Sequence, residues 1–153
     1  MPATNLISGT CALNLKRPLI MGIVNTTPDS FSDGGQFLSH ERAVAHARRL
    51  IAEGADIIDI GGESTRPGAA PVSLQQELDR VLPVLDSLVA EGVPISIDTQ
   101  KAEVMREAIK RGATMINDVN ALQESGAIEV CAASNVSVCL MHKIGRASCR
   151  ERV

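Results

Sequence analysis

Carboxylate, amide and guanidinium side chains follow short apolar runs at several places in this chain. Asn25, Asp98 and Asn117 lie at the ends of such runs, and Arg66 lies in the loop that follows another run. A carboxylate offers acceptor oxygens and an amide offers both a donor and an acceptor, so together they can bind the mixed edge of a flat heterocycle. A guanidinium presents a fork of N–H donors that suits a phosphate group. These residue types therefore favour a site for a polar ring that carries an anionic tail.

Each of these residues also has a purely structural interpretation when it is taken alone. Asn25 can begin a turn, Asp98 and Thr99 can cap a helix, and Asn117 can bond loop backbone. Capping does not require a carboxylate and two amides at successive strand ends, so the set as a whole favours binding. Asp98 is the most informative member, because a partly buried carboxylate needs a donor partner.

Two loops add features of a ligand site. The loop Gly61–Gly68 combines glycine backbone amides, the hydroxyls of Ser64 and Thr65, and one arginine, which are the components of a phosphate-binding loop. The loop Asn25–Gly35 is longer than most connections between a strand and a helix, and loops of this kind often close over active sites.

The apolar runs are short and do not alternate with polar residues, which is typical of parallel strands covered on both faces. Five runs are predicted to be strands, and an extra strand can form near Thr10–Asn14. The five predicted strands are Leu19–Val24, Ile57–Ile60, Ile95–Asp98, Met115–Asp118 and Val136–Met141.

Helical patterns fill the intervals between these strands. The first helix is predicted to begin with Ser39 as its N-cap, the second with a capping box at Ser73, and the third with Thr99 as its cap. A short fourth helix is predicted near Ala127–Ala133. In the second helix the residues predicted to face inward are Leu74, Leu78, Val81, Leu82, Leu85 and Val89.

This alternation predicts an α/β fold with a parallel sheet, either a barrel or a doubly wound sheet. The first strand is not followed by the GxGxxG motif of nucleotide-binding doubly wound folds, so the barrel is preferred. In an α/β barrel the carboxyl ends of the strands hold the active site. A complete (β/α)8 TIM barrel takes about 250 residues, so a chain of 153 residues is expected to contain only about the first five strands and four helices.

Composition limits the function further. The net charge is −3 and no basic cluster stands out, which argues against nucleic acid as a partner. No apolar run is long enough to span a membrane and no signal peptide is evident, so a cytoplasmic protein with no membrane partner is predicted. The four cysteines form no CxxC pair, which argues against a zinc site or a disulfide framework.

The motifs closely resemble those of dihydropteroate synthases. Met21–Gly35 and Ile58–Gly68 are similar to the two signatures of that family, and three shorter segments continue the resemblance in family order. It extends from about Leu15 to His142. The shorter segments are Ile95–Thr99, Ile116–Asp118 and Val138–His142.

The resemblance implies a (β/α)8 barrel enzyme of folate biosynthesis. Such an enzyme uses Mg²⁺ and condenses 6-hydroxymethyl-7,8-dihydropterin diphosphate with p-aminobenzoate, giving 7,8-dihydropteroate and pyrophosphate. Sulfonamides compete with p-aminobenzoate in this family. The intact enzyme is expected to be a homodimer.

The resemblance also implies residue roles. Asn25 would hold Mg²⁺, and Asp33 and Arg66 would be catalytic. Substrate contacts would come from the pterin-binding residues Asp98 and Asn117, from Thr65 at the diphosphate, from Met141 in the same pocket, and from Phe31, Ser64 and Pro67 in two loops around p-aminobenzoate.

The chain departs from the family pattern at its carboxyl-terminal end. Residues 1–143 are predicted to be the N-terminal portion of a pterin-binding TIM-barrel domain. Residues 144–153 break the strand and helix pattern and resemble the translation of a sequencing adapter, so they are predicted to be a non-native tail.

The later family residues that complete the pterin and diphosphate sites do not follow, so the chain alone is predicted to be inactive. Two alternatives stay open: a non-catalytic pterin-binding fragment, and a barrel similar to methyltetrahydrofolate methyltransferases. The second alternative would not need a diphosphate loop such as Glu63–Gly68.

Overall fold

Five parallel strands and four helices alternate along the chain in a computed structural model that describes residues 5–27, 35–64 and 68–142, with only the backbone given for 35–38. The chain's first described element is a hairpin of strands β1 (Asn5–Ser8) and β2 (Cys11–Asn14), which are antiparallel. The predicted boundary at residue 143 and the predicted tail lie outside the described residues.

The parallel sheet is built from five short strands in strict chain order. The strand order of a doubly wound sheet reverses at a switch point, whereas this order runs in one direction through the described strands, as in a barrel. The predicted α/β fold with part of a TIM barrel is therefore confirmed. The strands are β3 (Met21–Asn25), β4 (Ile57–Gly61), β5 (Ile95–Asp98), β6 (Met115–Asp118) and β7 (Ser137–Leu140).

The hairpin confirms the extra strand but does not join this sheet. Ser8 Oγ donates to the carbonyl oxygen of Thr114 at 2.6 Å, and Ser137 Oγ donates to the carbonyl oxygen of Ile7 at 2.6 Å. Thr114 immediately precedes β6 and Ser137 begins β7. The hairpin is therefore bonded to the amino ends of the last two strands, away from the carboxyl ends where the candidate site lies.

The helices agree with the sequence pattern except at the beginnings of the first and the third. The Ser73 capping box is confirmed, because Ser73 Oγ accepts from the Gln76 N–H at 3.2 Å and Gln76 Oε1 accepts from the Ser73 N–H at 3.1 Å. Ser39 is not an N-cap, since the first helix already begins at Gly35. Thr99 is not a cap either, because the third helix begins only at Ala102. The helices are α1 (Gly35–Ala52), α2 (Leu74–Leu88), α3 (Ala102–Lys110) and α4 (Ala127–Ala132).

The core lies between one face of the sheet and the helices and is wholly aliphatic at its centre. Val24, Ile60, Ile97 and Ile116 occupy neighbouring register positions on the four adjacent strands and are fully buried. Below, the face that carries these four residues is called the helix face, and the opposite face is called the inner face.

The burial prediction for α2 was correct for Val81, Leu82 and Leu85 and wrong for Leu74 and Val89, which are both 41% exposed. Leu74 lies in the first turn of the helix. Val89 lies in a one-turn 3₁₀ helix after it (Val89–Glu91), whose tighter winding rotates the side chain away from the buried stripe. Three other α2 residues are buried instead: Glu77, Val84 and Leu88.

Among the described residues, Cys11, Cys131 and Cys139 are all free thiols. None of the helices in the described ranges is both long enough and apolar enough to cross a membrane.

Candidate functional site

The strand register brings the predicted ring-binding residues into one row. Asn25 pairs with Gly61, Gly61 with Asp98, and Asp98 with Asn117. Residues that pair across parallel strands project from the same face of the sheet, and all four lie at or next to the carboxyl end of their strand. The predicted convergence of Asn25, Asp98 and Asn117 at one rim is therefore confirmed.

Gly61 leaves an open gap in the middle of this row. A Cβ atom built on Gly61 would lie 3.7 Å from Asp98 Oδ2 and 4.0 Å from Asn25 Oδ1. The carboxylate and the amide oxygen therefore approach the gap from either side. Any side chain at position 61 would occupy space that a bound molecule could fill.

A second polar layer lies below this row on the inner face. Asp59 pairs with Ser96, which is two residues before Asp98 and therefore on the same face. Asn117 Nδ2 donates to Asp59 Oδ2 at 3.2 Å. Asp59 is only 3% exposed, so this bond provides one partner for a buried carboxylate and orients the Asn117 amide.

Asp59 was not among the site residues predicted from the sequence. The signal was present, because a lone carboxylate interrupts the apolar run Ile57–Ile60. A buried charge is costly unless it is paired, so its presence in a central strand indicates a partner or a function. The partner, Asn117, is 58 residues away and could not be identified from local spacing.

Three acceptor atoms on the inner face are buried and have no hydrogen-bond partner among the described residues. They are Asp59 Oδ1, Ser96 Oγ and Asp98 Oδ1. An unsatisfied buried polar group costs about 1–3 kcal/mol, so three of them on one face require an explanation. A ligand with several N–H donors along one edge would satisfy them.

The electrostatics of the site agree with this requirement. Burial raises the pKa of the Asp98 carboxyl to about 6, and the carboxylates of Asp59, Glu77 and Asp118 raise it further in the same direction. Asp98 is thus an anion at neutral pH in a region that disfavours anions. A bound group with N–H donors or developing positive charge would lower its free energy.

Asp118 supports the loop that follows Asn117. Its carboxylate is fully buried and accepts from the N–H groups of Asn120 and Leu122, both at 2.7 Å. Ala121 and Leu122 have φ values of +55° and +57°, which are unfavourable for residues other than glycine. Asp118 therefore stabilises a strained turn beside the site, and such strain is common at functional sites.

Two more predicted residues lie at the same rim. Met141 is 46% exposed and its N–H donates to the carbonyl oxygen of Asp118 at 3.2 Å. Ser64 is exposed and follows β4 by three residues. The predicted residues Phe31, Asp33, Thr65, Arg66 and Pro67 lie outside the described residues, so their roles stay predictions.

The described residues contain no group of three or more His, Cys, Asp or Glu side chains that could hold a metal ion. Mg²⁺ in sites that bind substrate phosphates typically takes only one or two protein oxygens, with water and phosphate oxygens completing its coordination. An exposed amide oxygen such as that of Asn25, which borders the Gly61 gap, fits this kind of binding.

Comparison with known proteins agrees with this geometry. A family model described as "Pterin binding enzyme" matches residues 21–152. The dihydropteroate synthase of Escherichia coli (strain K12) is 54% identical over 135 residues, which cover 88% of this chain and 48% of that protein. The chain thus spans about half the length of the curated relatives it matches.

Solved structures are similar over the same length. The Xanthomonas albilineans dihydropteroate synthase with 4-aminobenzoic acid has a TM-score of 0.86 and 53% identity, covering 95% of this chain and 54% of that one. The Burkholderia cenocepacia dihydropteroate synthase complexed with 7,8-dihydropteroate has a TM-score of 0.82 and 45% identity, covering 94% and 48%. With a family match over most of its length, and an inner face whose buried acceptors have no partner among the described residues, the chain belongs to the family of pterin-binding enzymes.

Proposed function

We propose that this chain carries the pterin-binding face of a dihydropteroate synthase. The enzyme would condense 6-hydroxymethyl-7,8-dihydropterin diphosphate with p-aminobenzoate in folate biosynthesis. The observation that carries this proposal is the set of unpaired acceptors of Asp59, Ser96 and Asp98 beside the Asn117 amide. Support comes from the similar enzymes crystallised with 4-aminobenzoic acid and with 7,8-dihydropteroate.

The aminopyrimidinone edge of a pterin carries N–H donors that can pair with the buried acceptors of this face. Asp98 would accept from N–H groups of the ring, and Asn117, oriented by its bond to Asp59, would meet the mixed part of the edge. The half-buried position of Asp98 makes these charge-assisted hydrogen bonds stronger than they would be in water.

The same arrangement would assist the reaction. In the proposed step the bond between the pterin methylene carbon and the diphosphate oxygen breaks, and its electron pair leaves with pyrophosphate. The positive charge that develops spreads over the pterin ring, where the Asp98 carboxylate stabilises it. The amino nitrogen of p-aminobenzoate then bonds to the methylene carbon and loses a proton.

The anionic part of the substrate would bind at the other end of the row. Asn25 would hold Mg²⁺, which when bound neutralises charge on the diphosphate. Thr65 and Arg66 are predicted to contact the same group.

The p-aminobenzoate pocket is predicted to involve Phe31, Asp33, Ser64 and Pro67, with Met141 lining the pterin side. Competition by sulfonamides, a homodimeric whole enzyme and a cytoplasmic location stay predictions of the family resemblance.

A chimera tests this function. Residues 1–142 would replace the corresponding part of the E. coli enzyme, which is 54% identical over 135 residues. We expect the chimera to form 7,8-dihydropteroate with release of pyrophosphate, and its Asp98→Asn variant to lose at least about a hundredfold in kcat/KM, or about 2.7 kcal/mol. A folded chimera without activity would contradict the proposal.

The 153-residue chain should be tested beside the chimera. Isothermal titration with the pterin diphosphate distinguishes a pterin-binding chain without turnover from an inert one. We expect weak binding that Asp98→Asn abolishes.

A further inference from the structure

Four side chains from three segments meet beside the candidate site around one lysine. Lys101 Nζ donates to Glu63 and to Glu77 Oε2, the latter at 2.6 Å, and Thr99 Oγ1 donates to Glu77 Oε1 at 2.5 Å. Glu77 is fully buried, so both of its oxygens are satisfied without water. Glu63, Glu77, Thr99 and Lys101 are called the Lys101 cluster below.

The cluster closes the base of the loop that follows β4. Glu63 Oε2 binds Lys101, while Glu63 Oε1 accepts from the Val72 N–H at 3.3 Å. One carboxylate therefore connects the beginning of the segment 63–72 to its end. Because Lys101 binds the same carboxylate, it connects this base to the turn between β5 and α3.

Two further contacts hold the same loop base against α2. Arg80 Nη1 donates to the carbonyl oxygen of Gly62 at 2.9 Å. A Cβ atom built on Gly62 would lie 2.8 Å from Val81 Cγ2 and 3.0 Å from Glu77 Cγ. The backbone thus approaches α2 as closely as a glycine allows, which places Glu63 within reach of Lys101.

The electrostatics of the cluster require a charged lysine. Burial alone would lower the pKa of Lys101, but its hydrogen bonds to Glu63 and Glu77 outweigh this effect and raise the pKa. One cation is therefore shared by two carboxylates. Removing it would leave Glu77 buried and unpaired, and breaking a buried pair in this way is strongly destabilising.

We propose that Lys101 is a positioning residue that acts through Glu63 to hold the described ends of the loop after β4, Glu63 and Val72, in place at the rim of the candidate site. Thr65 lies two residues after Glu63, and two residues of chain span at most about 7 Å. Glu63 therefore lies close along the chain to the predicted diphosphate contacts Thr65 and Arg66, which this anchor would help to position. The importance of this position for catalysis rests on the proposed function, whereas the anchoring itself does not.

Amide hydrogen exchange on the 153-residue chain tests the anchoring. Glu63→Gln removes the charge that Lys101 binds and leaves the pair with Glu77 intact. The double variant Lys101→Met with Glu77→Gln removes the lysine without leaving a buried charge. Lys101→Arg is the conservative variant. Lys110→Met is the matched control, because Lys110 at the end of α3 is exposed and pairs only with Glu107 among the described contacts.

We expect the Val72 amide and the amides of residues 61–64 to exchange at least about tenfold faster in Glu63→Gln and in the double variant. Lys101→Arg should stay near the wild-type rate and Lys110→Met should equal it. Exchange at β5 and β6 should not change in any of these proteins. The proposal would be overturned if the Val72 amide exchanged at the wild-type rate in both Glu63→Gln and the double variant. It would also be overturned if Lys110→Met increased that rate as much as they do.

The same substitutions in the chimera connect the anchor to function. We expect Glu63→Gln and the double variant to raise KM for the pterin diphosphate about tenfold while kcat falls less than threefold, because neither Glu63 nor Lys101 is itself placed at the bond that breaks. An unchanged KM in an active chimera would overturn the functional part. An inactive wild-type chimera would refute the proposed function, while hydrogen exchange still decides whether Lys101 anchors the loop.

Discussion

Asp98 is a residue whose charge is unfavourable in the free chain but favourable for binding a ligand with N–H donors. Its carboxylate is half-buried and one of its oxygens has no described partner. Burial, and then three neighbouring acidic groups, raise its pKa. The charge of Asp98 therefore destabilises the chain without a ligand, and the same charge would accept hydrogen bonds from a bound pterin.

Asp98→Asn should stabilise the free chain in a pH-dependent way. The pKa of Asp98 is about 6 in the folded chain and about 3.9 in the unfolded chain. The contribution of protonated Asp98 to stability is therefore fully present below about pH 4 and is lost as the pH rises through 6. One pKa unit corresponds to about 1.4 kcal/mol, and partial solvent screening reduces the effect to about 1–2 kcal/mol. Urea unfolding should therefore show a more stable variant at pH 7.5 and equal stabilities at pH 4. A difference that does not depend on pH would contradict this interpretation.

Asn117→Leu should destabilise the chain, because Asp59 Oδ2 then loses the Asn117 amide as its donor. Leaving a buried acceptor unsatisfied costs about 1–3 kcal/mol. Thermal unfolding of Asn117→Leu, and of Asn117→Leu combined with Asp59→Leu, measures this effect. The double substitution removes both polar partners and should recover most of the loss; if it does not, the bond to Asp59 is not the cause.

At the scale of elements, the last residue of β4 and the residue after it are two neighbouring glycines with different tasks. Gly61 borders the gap between Asn25 and Asp98, where an added Cβ would make only ordinary contacts of 3.6–4.0 Å. Gly62 lies against α2, where an added Cβ would lie 2.8 Å from Val81. One glycine provides space for a ligand, and the other allows a strand and a helix to approach closely.

Substituting alanine at these two positions should separate binding from stability. Gly62→Ala should lower the free energy of unfolding by about 1–3 kcal/mol through overpacking. Gly61→Ala should change it by less than about 1 kcal/mol, but should weaken pterin diphosphate binding by the chimera at least about tenfold. Chemical unfolding and calorimetry measure the two effects. Equal stability losses at the two positions would contradict the assigned tasks.

At the scale of the whole molecule, the described sheet ends in two strands that each lack a partner on one side, β3 and β7. Apolar side chains on these strands are exposed, including Ile23 at 61% and Leu140 at 48%. Unpaired strand edges with apolar side chains favour association between molecules. The 153-residue chain is therefore expected to self-associate.

Ile23→Lys should reduce this association. Ile128 on α4 is also 61% exposed but lies away from the sheet edges, so Ile128→Lys is the matched control. Sedimentation velocity over a concentration series should show a smaller average mass for Ile23→Lys and no change for Ile128→Lys. A similar decrease in both variants would show that added charge alone, and not the strand edge, is responsible.

The sequence by itself determined the order of strands and helices, the Ser73 capping box and the placement of Asn25, Asp98 and Asn117 at strand ends, because apolar periodicity and capping depend on residues close in the chain. Tertiary structure decided the bond between Asp59 and Asn117, the burial of Glu77 and its pairing with Lys101. It also gave Thr99 a bond to Glu77 in place of a capping role. These pairs are 58, 24 and 22 residues apart, so they exist only once the strand register and the docking of α2 bring them together.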